Sequence, residues 1–160
     1  MGINVHPSFI TAPCISAYLI HLDGKTCEYL LLRRCGQYLN GTWQMVSGSV
    51  EEGEKAYEAA FREILEETGL KPDRFYSADS VETFYLTIKD AITFVPVFVG
   101  FVDQKEPVQL SPTEHDAYQW LPYHEARELL VFSEQKRIIQ HIHHNFVLKA
   151  PHPILQINSY

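Results

Sequence analysis

Residues 54–68 are rich in Ala, Glu, Leu, Arg and Phe and contain neither Pro nor Gly, while Gly69 follows as a stop with Lys71-Pro72 behind it. Those propensities define one well-bounded helix. Short β-rich runs flank it on both sides, so its apolar stripe has to be covered by a sheet. Upstream, residues 15–22 and 28–33 are apolar runs joined by a segment whose Asp23-Gly24 pair is a strong hairpin signal. A second turn at 38–41 leads into 42–46, read as one strand ending at Ser47-Gly48. Downstream, 81–88 and 91–102 are β-rich; the second is nearly continuous in apolar residues and suits either a buried strand or the face of a homodimer. Residues 117–121 add a further strand. Helical spacing then returns over 124–130 and 133–146, with Ile138, Ile139, Ile142 and Phe146 on one side, before a Pro-containing tail at 150–160.

This order predicts an α/β fold, a mixed sheet covered by helices on its faces, folded as a single domain over 1–160. A length of 160 residues with 46% hydrophobic and 21% charged side chains supports one buried core. The net charge of -7 argues against a long nucleic acid as partner, since such binding needs Lys and Arg to release counterions from phosphates. A small phosphate ligand stays compatible with that charge if divalent cations neutralise converging acids. Cys14, Cys27 and Cys35 lack metal-type spacing and read as free thiols of a reducing compartment. No run of about 18 apolar residues is present to cross a bilayer. The expected location is cytoplasmic, away from membranes.

On a wheel at about 100° per residue, Tyr57, Phe61, Ile64, Leu65 and Thr68 share the sector expected to meet the sheet. Glu63, Glu66 and Glu67 fall elsewhere, on an edge that carries only Ala56, Ala59 and Ala60 toward its N-terminal end, so that something can approach closely. Three ionised carboxylates at i, i+3 and i+4 repel one another, and a hard divalent cation relieves the conflict. On spacing alone, a solvated face with Arg62 and Lys55 as partners is the better reading. The same ambiguity holds for the loop from Gly48 to Gly53, where two glycines near a helix start ordinarily mark a turn.

Taken whole, the run Gly48-Ser-Val-Glu-Glu-Gly-Glu54-Lys-Ala-Tyr-Glu-Ala-Ala-Phe-Arg62-Glu63-Ile64-Leu-Glu66-Glu67-Thr-Gly69-Leu70 resembles the Nudix box without a mismatch. That box reads G-x5-E-x7-R-E-U-x-E-E-x-G-U, where U is apolar. The resemblance implies an α/β/α sandwich with the box helix on one face and a hydrolase acting on a phosphoanhydride bond. It makes Glu63, Glu66 and Glu67 ligands of Mg²⁺ (or Mn²⁺), with the Gly48 carbonyl as a further ligand, and gives Glu54 and Arg62 a structural duty as an ion pair holding the loop to the helix. A positioned water attacks phosphorus while cations neutralise the phosphate oxygens, and Glu66 or Glu67 takes its proton.

Residues 111–121 are similar to a stretch in two Nudix branches, the dATP and dihydroneopterin triphosphate pyrophosphatases and the dinucleoside tetraphosphate hydrolases. This makes Glu114 a candidate base or extra ligand against the alternative of a surface acid. The approach Thr42-Trp43-Gln44-Met45-Val46-Ser47-Gly48 looks more like the first branch, because the Pro-Lys-Gly usual in the second is absent. The implied reaction is therefore cleavage of a nucleoside triphosphate-like substrate to monophosphate and pyrophosphate. Dinucleoside tetraphosphate hydrolysis is the alternative within enzymes. A catalytically silent nucleotide-binding module is the alternative outside them, and the intact Arg62, Glu63, Glu66 and Glu67 count against it. Arg33 and Arg34 end a strand where they can reach phosphates, and Tyr38 or Trp43 can stack on a base, although solvated-edge and core roles are the commoner fates of such residues. The run His141-Ile142-His143-His144 lacks a ligand set and reads as favourable charge near a helix C-terminus.

Overall fold

The computed structural model describes residues 9–158. Its strands are β1 (Ile10–Thr11), β2 (Cys14–Leu22), β3 (Cys27–Arg34), β4 (Trp43–Gln44), β5 (Val46–Ser49), β6 (Arg74–Leu86), β7 (Ala91–Val102) and β8 (His115–Pro122), with helices α1 (Ala56–Thr68), α2 (Tyr123–Leu129) and α3 (Ser133–Ile142). The eight strands form one mixed sheet in which β7 runs parallel to β1 and β2 on one edge and antiparallel to β6 on the other. One face packs Ile15, Ala17, Leu19, Leu30, Leu32 and Val46 against Ala59, Ala60 and Ile64 of α1. The opposite face packs Tyr18, Ile20, Val97, Val99 and Phe101 against Ala126, Ile138, Ile139 and Ile142 of α2 and α3. Two covered faces explain why β2 and β7 are apolar at nearly every position: the run at β7 is a core strand. This is the α/β/α sandwich.

The hairpin of β2 and β3 turns at Asp23-Gly24, where Gly24 takes φ 84° and the Asp23 carboxylate accepts from the amides of Lys25 and Thr26. The two strands pair only beside that turn and then splay apart. The expected single strand over 42–46 is broken at Met45 because this segment fills the fork: β4 pairs with β3 and β5 with β2.

Further differences from the sequence reading lie in β6 and the C-terminal segment. Pairing with β7 begins at Arg74 rather than at 81, passing through a bulge between Ser77 and Val81 at which Asp79 takes φ 51°. Helix α3 ends at Ile142 and continues as one π-helical stretch, His143–Val147. The segment expected as a tail is tied along β6, with the Ile157 amide donating to the Phe75 carbonyl at 2.8 Å.

On β7, Gly100 lets the loop after α1 approach the sheet: a Cβ there would lie 2.7 Å from Leu19 Cδ2 and 3.0 Å from Pro72 Cβ. Gly100→Ala is expected to cost about 1–3 kcal/mol by overpacking, read as a lowered denaturant midpoint at unchanged slope.

Candidate active site

Helix α1 opens with the Lys55 amide donating to Glu58 Oε2 at 2.9 Å and closes at Gly69, φ 71°, whose amide donates to the Leu65 carbonyl. Its orientation agrees with the wheel at Ile64 and Thr68, both fully buried, and differs on either side of them: Ala59 and Ala60 are also fully buried against the sheet, while Leu65 is exposed. Small residues face inward because the helix axis lies close to β2 and β5; what approaches the alanine edge is the sheet itself.

The loop before the helix is pinned by Arg62. Its Nε and Nη2 donate to the two oxygens of Glu54 at 2.8 and 3.0 Å, and Nη2 also reaches the Ser49 carbonyl at 2.9 Å. The guanidinium holds the Glu54 carboxyl down at about 2, with the Glu51 amide donating to it as well. Arg62 Nη1 further donates to Glu63 Oε1 at 2.8 Å and to Glu66 Oε2 at 3.2 Å. Two of the three carboxylates expected to hold metal thus have a cationic partner, as a solvated face would provide, whereas Lys55 Nζ turns to the Tyr57 hydroxyl. Glu66 is well exposed, its side chain at 58%.

Glu67 breaks that pattern. It is only 3% exposed, and its Oε2 has no hydrogen-bond partner. Burial first, then the charges of Glu63 and Glu114, push its carboxyl up to about 9, opposed by a backbone hydrogen bond from Ser47 and by Arg34. A buried acid with a free oxygen is costly unless a cation or proton satisfies it. Ligand atoms of Glu67, Glu114 and His115 lie within 4.8 Å of one another, a spacing that suits a shared ion. Glu63 is also driven upward, mainly by burial and against Arg62. The donor set fits a hard divalent cation: two carboxylates converge on one imidazole, and a third carboxylate acts on them through its charge.

His115 is the site residue that sequence reasoning passed over, although it stands beside Glu114 in the segment singled out. Both ring nitrogens are buried without partners, and burial, followed by the charge of Arg34, lowers its pKa to about 4. The ring is therefore neutral at physiological pH, with one nitrogen free to accept. It reaches α1 because β8 pairs with β3 through an irregularity between Arg33 and Arg34.

Gly48 lies in β5 opposite Ile15, and a Cβ on it would overlap the Glu63 carboxyl carbon. The glycine is what lets this strand and the Glu63 carboxylate touch. Arg34 acts electrostatically on both Glu67 and His115 and donates through Nε to the Tyr38 carbonyl at 3.2 Å. Arg33 is paired with Asp116 at 2.7 Å and lies over Trp43. Tyr38 is exposed beneath the Arg34 guanidinium, while Trp43 and Trp120 pack against the cores of opposite faces. His141 donates through Nε2 to the Ala78 carbonyl at 2.8 Å and accepts at Nδ1 from Asn145 Nδ2 at 3.3 Å, away from the carboxylates.

A family model described as NUDIX domain matches residues 12–142. Among curated proteins, the asymmetrical bis(5'-nucleosyl)-tetraphosphatase of Rattus norvegicus is 32% identical over 132 residues, covering 81% of this chain and 87% of that protein. Among solved structures, an Ap4A hydrolase of C. elegans in a binary complex superposes with TM-score 0.70 at 22% identity, over 82% of this chain and 95% of that one. The dihydroneopterin triphosphate pyrophosphohydrolase of E. coli gives TM-score 0.70 at 24% identity, over 86% and 95%. At those identities the two structures speak for the fold.

Proposed function

The chain belongs to the NUDIX family, and from that premise we propose that it hydrolyses a phosphoanhydride of a nucleoside triphosphate-like substrate, of the dATP or dihydroneopterin triphosphate type, to monophosphate and pyrophosphate. The observation that carries this reading is Glu67, buried with an unpartnered oxygen beside Glu63, Glu114 and His115. Mg²⁺, with Mn²⁺ as substitute, would be held by Glu63, Glu66 and Glu67 with the Gly48 carbonyl, and by Glu114 as an added ligand. When bound it supplies charge neutralisation at the phosphate oxygens and lowers the pKa of water.

The chain's own residues do the rest. Arg62 and Glu54 fix the loop so that the Gly48 carbonyl and the Glu63 carboxylate keep their relative positions. Glu66 and Glu114, both exposed, are free to take the proton of an attacking water, and Glu67 joins them once it is ionised. Arg34, close enough to influence Glu67, is placed to meet substrate phosphate; Arg33 would have to leave Asp116 to do so. Tyr38 offers an exposed ring for stacking. No helix among the described residues is long and apolar enough to cross a membrane; a cytoplasmic location remains part of this reading.

A second reading, asymmetric cleavage of a dinucleoside tetraphosphate, is favoured by the extent of identity to the rat enzyme. Chromatography of products from dATP, other nucleoside triphosphates, dihydroneopterin triphosphate and diadenosine tetraphosphate with Mg²⁺ separates the two. Pyrophosphate with a monophosphate from a triphosphate is the expected result. Tri- plus monophosphate nucleosides from the tetraphosphate, with triphosphates untouched, would select the second.

A further inference from the structure

On the sheet face away from α1, beyond the first turn of α3, lies a group of buried polar side chains that the hydrolytic site does not use. Glu82 sits on β6 opposite Val95 of β7, is 4% exposed, and leaves Oε1 without a partner. Its other contact is a hydrogen bond with Ser16 of β2, itself buried. Burial drives the Glu82 carboxyl up to about 7. Gln135 of α3 is buried too, and its side-chain carbonyl oxygen is likewise unpartnered. The first turn of α3 is fastened here, with Glu134 Oε1 accepting from the Thr83 amide at 3.1 Å, Arg137 Nη2 donating to the Val81 carbonyl at 3.0 Å, and the Tyr18 hydroxyl donating to the backbone carbonyl of Gln135 at 3.4 Å.

Two buried oxygens without hydrogen-bond partners are costly to retain in a fold that gains nothing from them, and the Glu82 oxygen is an acceptor when its carboxyl is ionised. A ligand edge rich in N–H groups would satisfy both. Of the common base edges, adenine and cytosine present one amino group beside a ring acceptor, and uracil one N–H between carbonyls. The 2-amino-4-oxopyrimidine edge presents a ring N–H and an adjacent amino group together.

The place also suits a substrate that ends at Glu67. Glu82 lies in register with Val95; Cys14 is in line with Val95 through the parallel pairing of Ser16 with Val97; and Cys14 pairs with Ser49 of β5. Three strand spacings of about 4.8 Å separate Glu82 from the strand that carries Gly48, roughly 14 Å in all, comparable to an extended nucleoside triphosphate from base edge to terminal phosphates. On this face Ser47 is paired with Ser16, and its backbone bonds Glu67. The open end of the face is marked by Phe84, two residues beyond Glu82 and partly exposed, and by half-buried Cys14.

We propose that Glu82 and Gln135 form the base-reading end of the substrate site and accept hydrogen bonds from the 2-amino-4-oxopyrimidine edge shared by guanine nucleotides and pterins. The assignment rests on the hydrolase reading for where the phosphates go, and it narrows the triphosphate substrate to bases with that edge. Binding and turnover separate the two ideas. Calorimetric titration of the wild-type protein with GMP, IMP and AMP in Mg²⁺ buffer is expected to show GMP binding at least about tenfold tighter than IMP, which differs only by the 2-amino group. Glu82→Gln is expected to bring the GMP-to-IMP ratio close to one. The ratio in the wild type needs no variant, so a misfolded Glu82→Gln would leave the test standing. Equal affinity for GMP and IMP, or tighter AMP, overturns the assignment whatever is hydrolysed. A tenfold preference with no cleavage of GTP or dihydroneopterin triphosphate keeps the assignment and overturns the triphosphatase reading. If both are cleaved, the larger kcat/KM says whether the edge is presented by a purine or a pterin.

Discussion

Glu67→Gln is expected to lower kcat by at least about 10³-fold and at the same time to make the metal-free protein more heat-stable above neutral pH. The two effects have one origin. In the folded chain the Glu67 carboxyl is held at about 9, against an ordinary 4.5, by burial and by Glu63 and Glu114. Between those values the folded state keeps a proton that the unfolded state has released, so this one group costs folding stability increasingly as pH rises through the window, and the cost levels off above the folded value. Glutamine fills the same space without titrating. The Tm of the variant should therefore exceed that of the wild type by a margin that widens with pH, reaching at least about 3 °C at pH 8 without metal. Saturating Mg²⁺ should raise the wild-type Tm and displace the proton, and it should do little for the variant. A Glu67→Gln protein that is active, or less stable than wild type at pH 8 in chelator, would remove Glu67 from the site. The wild-type to variant difference isolates this group from Glu82, whose own elevated pKa is common to both proteins.

How far the sequence discloses this arrangement depends on the range of the interactions involved. The hairpin turn at Gly24, the full extent of β7 and the stop at Gly69 are decided by neighbours in the chain and could be read directly. The split at Met45 could not, because it follows from β2 and β3 diverging and leaving a fork that one segment must fill from both sides. The inward face of α1 is read correctly at Ile64 and Thr68, with Tyr57 and Phe61 packed at its margin, but it is rotated toward Ala59 and Ala60 and away from Leu65, because a helix drawn close to β2 and β5 takes small side chains along its line of nearest approach. His115 looked like a loop residue until the irregular pairing of β8 turned its ring beneath α1. Glu82 stands in a strand where alternation places a carboxylate naturally in solvent, and only the arrival of α3 over that face makes it buried. The box motif was legible without any of this, because its chemistry resides in residue identities at fixed spacing; of the residues brought beside it, Glu114 was legible from its segment, whereas His115, the first residue of β8, was not.

Gly48→Ala is the change expected to separate backbone support from side-chain chemistry. Pairing with Ile15 fixes the Gly48 backbone in the sheet, so the strand cannot retreat from an added methyl group, and the side chain that must yield is Glu63. Displacing that carboxylate takes it from Arg62 Nη1, which in turn bears on Glu54 and the Ser49 carbonyl. Misplacement by about 1 Å at such a site costs on the order of 10²-fold in kcat, while the overpacking itself costs about 1–3 kcal/mol of stability. The cause can be checked by a cycle. In a Glu63→Ala background the space beside residue 48 is open, so Gly48→Ala should cost much less stability there than in the wild type, giving a coupling of about 1 kcal/mol or more. Equal costs in the two backgrounds would show that the methyl group meets something other than Glu63, and that the glycine serves the strand rather than the carboxylate.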